Sequence, residues 1–188
     1  SVTLADVLQQ VGASNGWPVA TASGTHLFVR PAEGHQWSLA GEFNSWTPVA
    51  MEDGGDFWWA EVAITGPNGM LYKYVDETNA YSADPNARSY RYDANGQFSY
   101  VEPPTDDWRL ERWAVSSTGV LDRNLRVYVP SGAGPWPVLY MHDGQNLFDP
   151  GAPWGGWRMQ DAVKTVGQDV LIVGIENTAE RLEEYGHV

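Results

Sequence analysis

The 188-residue chain carries 24 Asp and Glu against 11 Lys and Arg, a formal net charge of −13, and no cysteine. That balance argues against nucleic acid and against an anionic membrane surface, since phosphate binding is dominated by Lys and Arg. It leaves the acidity to keep the protein in solution. The missing cysteine excludes disulfide and thiolate chemistry, and no apolar run approaches the ~18 residues that a membrane span needs. The length suits one or two domains.

In chain order, "VTLADVLQQVG" places Leu4, Val7, Leu8 and Val11 on one helical face. Thr3 and Asp6 have the spacing of a reciprocal N-terminal cap, and Gly12 falls where a C-cap is expected. No signal-peptide pattern opens at Ser1, which is equally expected of a mature secreted chain whose leader has been removed. "GASNG" then spells Gly-x-Ser-x-Gly around Ser14, the pattern of a serine-esterase elbow. An elbow needs a buried strand before the serine and a helix after it. Here a helix precedes and Trp17-Pro18 follows, so Ser14 is not expected to be a nucleophile.

From about His26 the pattern changes to period two. "HLFVRP", "WSLAGEF", "FWWAEVAI", "MLYKYVD" and "QFSYVEP" are short aromatic and β-branched runs, separated by the turn sequences "EGH", "EDGGD", "GPNG" and "DANG". They predict an antiparallel β-sandwich over 24–102, behind a helix and lead-in at 1–23. Trp58 and Trp59 must point to opposite faces. The "DANG" at Asp93 lacks the rest of a calcium-loop ligand series and reads as a hairpin turn. Residues 103–108 read as a linker, most of it lying in "EPPTDD" (102–107) with its two prolines and three acids.

A second pattern occupies 109–188. "ERWAVSS" and "RNLRVYVP" predict neighbouring strands, and the apolar run "PVLYMHD" predicts a strand buried on both faces. "WRMQDAVKTVG" has helical spacing, with Met159, Val163 and Val166 on one side, and "DVLIVGIEN" predicts a second buried strand. Strand, helix, strand is a βαβ crossover and implies a parallel sheet.

Two resemblances follow. "SLAGEFNSWTPVAM", "FWWAEVAI", "LYKYVD" and "SADPNA" resemble carbohydrate-binding module family 48 and its immunoglobulin-like early-set relatives. That resemblance implies glycan contacts from Trp46, Lys73 and Tyr81, with Asn44 as a polar partner, because sugar rings stack on aromatic planes while their hydroxyls need polar groups. Sandwiches of this pattern also serve as packing domains that bind nothing, and both readings stay open.

"RNLRVYVPSGAGPWPVLYMHDGQNLFDPGAPWGGW" and "DVLIVGIENTAERLEEY" resemble the start of the esterase D-like α/β-hydrolases, a group with enterochelin-esterase-like and feruloyl or acetyl xylan esterase members. The fold implied is a three-layer α/β/α domain, of which 109–188 supply the first part. The resemblance places a backbone oxyanion-hole N–H on Gln145, with Gly144 allowing close approach. Trp154 and Trp157 would wall an acyl pocket or else pack in the core, and Asn177 and Arg181 would reach the substrate from the next strand end. It makes His142 structural. "HDGQN" has no second His at ligand spacing, and His26, His35 and His187 stand in no motif, so neither a metal nor a cofactor is expected.

A serine hydrolase of this fold carries its Ser, acid and His after a later buried strand. The triad is therefore expected beyond Val188, residues 1–188 alone are expected to be inactive, and "DVLIVGIEN" is expected to present an uncovered parallel edge. The expected partners are an ester substrate, polysaccharide-linked if the sandwich binds sugar, and a C-terminal remainder of the hydrolase. Feruloyl or acetyl esters on xylan fit best, siderophore esters are the second option, and a non-catalytic glycan-binding protein is the rival. A secreted or periplasmic location goes with that substrate, a cytoplasmic one being the alternative.

Overall fold

The computed structural model describes residues 2–13, 16–118 and 120–182. The chain divides into two compact units, Ser1–Thr105 and Asp106–Val188. Ser14 and His187 lie outside the described residues, as does the whole of the closing "EEYGHV".

The first unit is a β-sandwich with one helix on its outside. Helix α1 (Leu4–Ala13) is followed by β1 (Val19–Ala20), β2 (Thr25–Pro31), β3 (Trp37–Gly41), β4 (Val49–Ala50), β5 (Glu52–Asp53), β6 (Phe57–Ala63), β7 (Leu71–Asp76), β8 (Tyr81–Ser82), β9 (Ser89–Asp93) and β10 (Gly96–Tyr100). One sheet has the order β1-β2-β6-β5. In the other, β9-β10-β7-β3-β4 run side by side and β8 adds to β7. Thr3 and Asp6 cap α1 as their spacing predicts: the Thr3 hydroxyl and amide donate to Asp6 Oδ2 (2.8 and 2.9 Å), and the Asp6 amide returns a bond to Thr3 Oγ1 (3.2 Å). Gly12 is not the cap, because the helix continues through it to Ala13.

Alternation sorts the side chains. From β6, Trp58, Ala60 and Val62 pack on the interior cluster of Phe28, Trp37, Leu39, Tyr72 and Tyr74. Phe57 and Trp59 face the other way, into a cluster with Trp17, Val29 and the helix residues Leu4 and Val7. The two tryptophans thus serve opposite faces, each helping to cover one side of the same strand. At "DANG", Gly96 takes a φ of +90°, a conformation open to glycine, and the Asp93 carboxylate accepts from the Asn95 amide (2.7 Å). The strand "SYRYD" between the Asp-Pro turn and this hairpin has no counterpart among the predicted strands.

Inside the sandwich sits a fully buried carboxylate. The Tyr72 and Tyr74 hydroxyls donate to Asp84 Oδ2 (2.6 and 3.2 Å), and the Asn86 amide donates to Oδ1 (2.8 Å). Tyr74 also donates to the Val29 carbonyl (2.9 Å). Burial, with the Asp84 charge beside it, holds the Tyr74 hydroxyl well above its usual range and hence protonated. The "YKY" and "ADPNA" segments therefore meet as one hydrogen-bonded network.

The second unit is built on β11 (Arg109–Ser117), β12 (Val120–Val129), β13 (Val138–His142) and β14 (Leu171–Ile175), with α2 (Met159–Val166) between the last two. β11 and β12 form an antiparallel hairpin, β14 lies antiparallel to β12, and β13 joins β14 in parallel, Val138 opposite Leu171. This is the expected crossover, but two expectations need correction. β14 is not the uncovered edge, since it lies between β12 and β13. β13 is not buried on both faces: it is the outer strand, with Leu139 41 % and Tyr140 70 % exposed. An apolar run reports a strand suited to being covered and does not say what covers it. The apolar side of α2 is likewise only half covered. Val163 is buried and Val166 exposed, around a hollow of about 240 Å³ bordered by Leu139, Met159 and Ile172.

Candidate functional site

In the second unit the chain leaves β13 at His142 and turns at Asp143 into a short 3₁₀ turn, Gly144–Asn146. Asp143 has a φ of +56°, a left-handed conformation that Asp tolerates better than most residues. The hydrogen bonds of the turn begin with the Asn146 amide to the Asp143 carbonyl (2.8 Å) and the Leu147 amide to the Gly144 carbonyl (3.3 Å). The first N–H groups of a helical turn have no partner within it, and here these belong to Gly144 and Gln145. A Cβ on Gly144 would stand 2.6 Å from the Gly174 carbonyl oxygen, and one on Gly174 would stand 2.4 Å from a Leu147 methyl. Glycine at both positions is what lets the turn lie directly on β14.

Arg181 and Asn177 come to this turn from the segment after β14. Arg181 grips the Asp143 carboxylate with two bonds, Nε to Oδ1 (3.0 Å) and a terminal nitrogen to Oδ2 (2.9 Å). Asn177 Nδ2 donates to Asp143 Oδ1 (3.3 Å), and the Asn177 amide donates to Gln145 Oε1 (3.3 Å). The Arg181 hydrogen bonds hold the Asp143 carboxyl below its ordinary value against partial burial, with help from the Gln145 side chain. Asn177 and Arg181, expected to reach a substrate, are directed onto Asp143. Asp143 itself was not among the expected site residues. Its bonds to residues 34 and 38 positions away leave no local sequence signal.

The tryptophans of the following loop are on the surface. Trp154 is fully exposed with a φ of +58°, and Trp157 is 51 % exposed, so neither packs in the core. The loop is nevertheless anchored to the turn, because the Trp157 amide donates to the Asn146 carbonyl (2.8 Å). Gly156 passes so close to the Asp149 carbonyl that a Cβ there would stand 2.2 Å from its oxygen.

The first unit carries a separate concavity of about 550 Å³, lined by Trp46, Lys73, Tyr81, Asp93, Asn95 and Phe98. Ser45 and Trp46 are consecutive residues with left-handed φ, 54° and 60°. Such conformations cost about 1–3 kcal/mol each away from glycine and mark positions that the surroundings impose. The Trp46 ring stands edge-to-face on Phe98 at 5.6 Å, and the Tyr81 hydroxyl reaches the Trp46 carbonyl (3.4 Å). Lys73 is buried, donates to the Asn95 carbonyl (2.9 Å) and lies 3.8 Å over the Phe98 ring. Desolvation lowers its pKa, and the Asp93 charge partly restores it. Asn44 stands apart from this group. Its amide accepts from the Gly41 N–H (2.9 Å) and donates to the Leu39 carbonyl (3.2 Å), bridging the turn before Trp46. Among the described residues no cluster of three His, Asp or Glu could hold a metal ion, and no helix is long and apolar enough to cross a membrane.

No protein-family model and no curated protein matches the sequence. Solved structures do. A ferric enterobactin esterase from Salmonella typhimurium aligns at 11% identity over 90% of this chain and 58% of its own, with a TM-score of 0.37. An enterochelin esterase from Shigella flexneri aligns at 11% identity over 98% and 61%, with a TM-score of 0.40. The enterobactin esterase of Shigella flexneri with 2,3-di-hydroxy-N-benzoyl-serine aligns at 12% identity over 97% and 59%, with a TM-score of 0.41. The chain thus spans less than two thirds of each of these neighbours.

Proposed function

We propose that the chain is part of a serine carboxylic ester hydrolase, in which an early-set sandwich precedes the opening strands of an α/β-hydrolase domain. The observation that carries this reading is the turn after β13. It sits at the C-terminal end of a parallel strand, where open α/β sheets bind ligands. It has leading N–H groups outside its own hydrogen bonding and is pressed onto β14 through Gly144 and Gly174. In the proposed reaction a serine Oγ attacks the ester carbonyl while a histidine takes its proton. The Gln145 N–H, helped by the close approach that Gly144 allows, donates to the oxyanion. Collapse of the tetrahedral intermediate expels the alcohol, which takes the proton back from histidine, and water then releases the acyl group as the acid.

The triad belongs, on this reading, to a C-terminal segment that packs against the exposed strand β13. Trp154 and Trp157 give the acyl group an aromatic surface, which suits feruloyl esters on plant polysaccharide, with acetyl xylan or siderophore esters as the alternatives. A secreted or periplasmic location goes with such substrates. The protein bearing that segment is expected to hydrolyse p-nitrophenyl acetate and to lose activity with phenylmethylsulfonyl fluoride, whereas residues 1–188 alone are expected to be inactive. Sensitive turnover by residues 1–188 would place the nucleophile within them and overturn this assignment.

A second reading has its own observation, the concavity under Trp46. Here the sandwich binds glycan, with Trp46 and Tyr81 as stacking surfaces. A polysaccharide pull-down in which Trp46→Ala abolishes retention supports it, and no retention by either protein removes it.

A further inference from the structure

We propose that Asp143 is a positioning residue for the Gln145 amide, and that Asn177 and Arg181 act through it and not on the substrate. The proposal rests on the esterase reading above for its catalytic meaning and on the geometry of the turn for its structural meaning.

An aspartate at the start of a helical turn ordinarily folds its carboxylate back onto the next N–H groups. Asp143 makes no such cap. Its left-handed backbone accompanies a carboxylate that meets Arg181 in a two-bond fork. A planar guanidinium fixes a carboxylate in orientation as well as in position, which a lysine ammonium would not do. Asn177 then closes a ring: its side chain holds Asp143 and its backbone holds the side chain of Gln145. On the opposite side Gly144 is pressed against the Gly174 carbonyl.

The peptide unit that carries the Gln145 N–H therefore lies between two fixed points, the Asp143 carboxylate and the β14 backbone. A donor to an oxyanion is effective only if its direction is set before charge develops. The Asp143 ring sets it. Exposed Arg181 would look like a substrate-binding cation if judged by its surface position alone, but both of its bonds to Asp143 are internal to the fold.

The test uses Asp143→Asn and Arg181→Lys, the second serving if the first does not fold. In residues 1–188, the Gln145 amide resonance in a ¹H–¹⁵N spectrum is expected to shift and broaden in both variants, with the double variant adding nothing further. A Gln145 resonance that stays in place overturns the proposal whether or not the protein is an esterase. In the catalytically complete protein, kcat is expected to fall about 10- to 100-fold with KM within about twofold, less than removing an oxyanion donor outright. An unchanged kcat, or a raised KM at constant kcat, overturns it in favour of direct substrate contact or no role. If the unaltered protein hydrolyses no ester, the esterase reading fails, and the spectrum alone decides whether Asp143 fixes the turn.

Discussion

Replacing Asp84 with alanine removes a fully buried carboxylate from the sandwich and tests whether the "YKY…ADPNA" pattern is structural. Asp84 is fully buried and accepts from the Tyr72 hydroxyl, the Tyr74 hydroxyl and the Asn86 amide. Tyr74 keeps the Val29 carbonyl as an acceptor, so two strong bonds are lost without replacement by Val29. Hydrogen bonds to a charged group contribute about 1.5–3 kcal/mol each, and removing one side of a buried charged network costs about 3–5 kcal/mol. We therefore expect a loss of about 3–5 kcal/mol. For a unit of roughly 100 residues that lowers Tm by at least roughly 12 °C. Urea and thermal denaturation of Asp84→Ala beside Asp84→Asn, which keeps an acceptor oxygen, give the comparison. A loss under about 1 kcal/mol in the alanine variant would refute the reasoning and return the motif to a binding role.

Two further outcomes are expected. Because Arg181 holds the folded-state pKa of Asp143 below its ordinary value of 3.8, the pair stabilises the fold above that value. The contribution is lost as pH falls from there through the lower folded-state pKa. A ¹³C titration should show the Asp143 midpoint moving up in Arg181→Gln; identical midpoints would count against the fork. Trp154→Ala should leave stability within about 0.5 kcal/mol, since the side chain is fully exposed. On the esterase reading, in the protein bearing the nucleophile it should raise KM for aromatic-acyl esters more than for acetyl esters, and equal effects on both would exclude an acyl-stacking role.

Strand alternation in the first unit was legible because the buried faces there are local: Phe28 in β2 and Trp58 in β6 serve one cluster, while their neighbours Val29 and Trp59 serve the other. The crossover from β13 through α2 to β14 was legible for the same reason. The exposure of β13 was not, since apolar composition records which surface favours burial and carries no information about its neighbours. The site divided along the same line. Gly144 and Gln145 were singled out by the resemblance, and the structure puts both in the turn after β13. The true direction of Asn177 and Arg181 depends on a carboxylate 34 to 38 residues earlier in the chain. The backbone of Ser45 and Trp46 was hidden too, because consecutive left-handed residues there have no compositional mark.

Gln145→Pro removes the N–H that the esterase reading assigns to the oxyanion, at a position where a fixed φ suits a helical turn. In the protein bearing the nucleophile, ester hydrolysis by this variant should show kcat lowered about 10²–10³-fold with little change in KM. An unaltered kcat in a variant that folds normally would show that the Gln145 N–H does not hold the oxyanion.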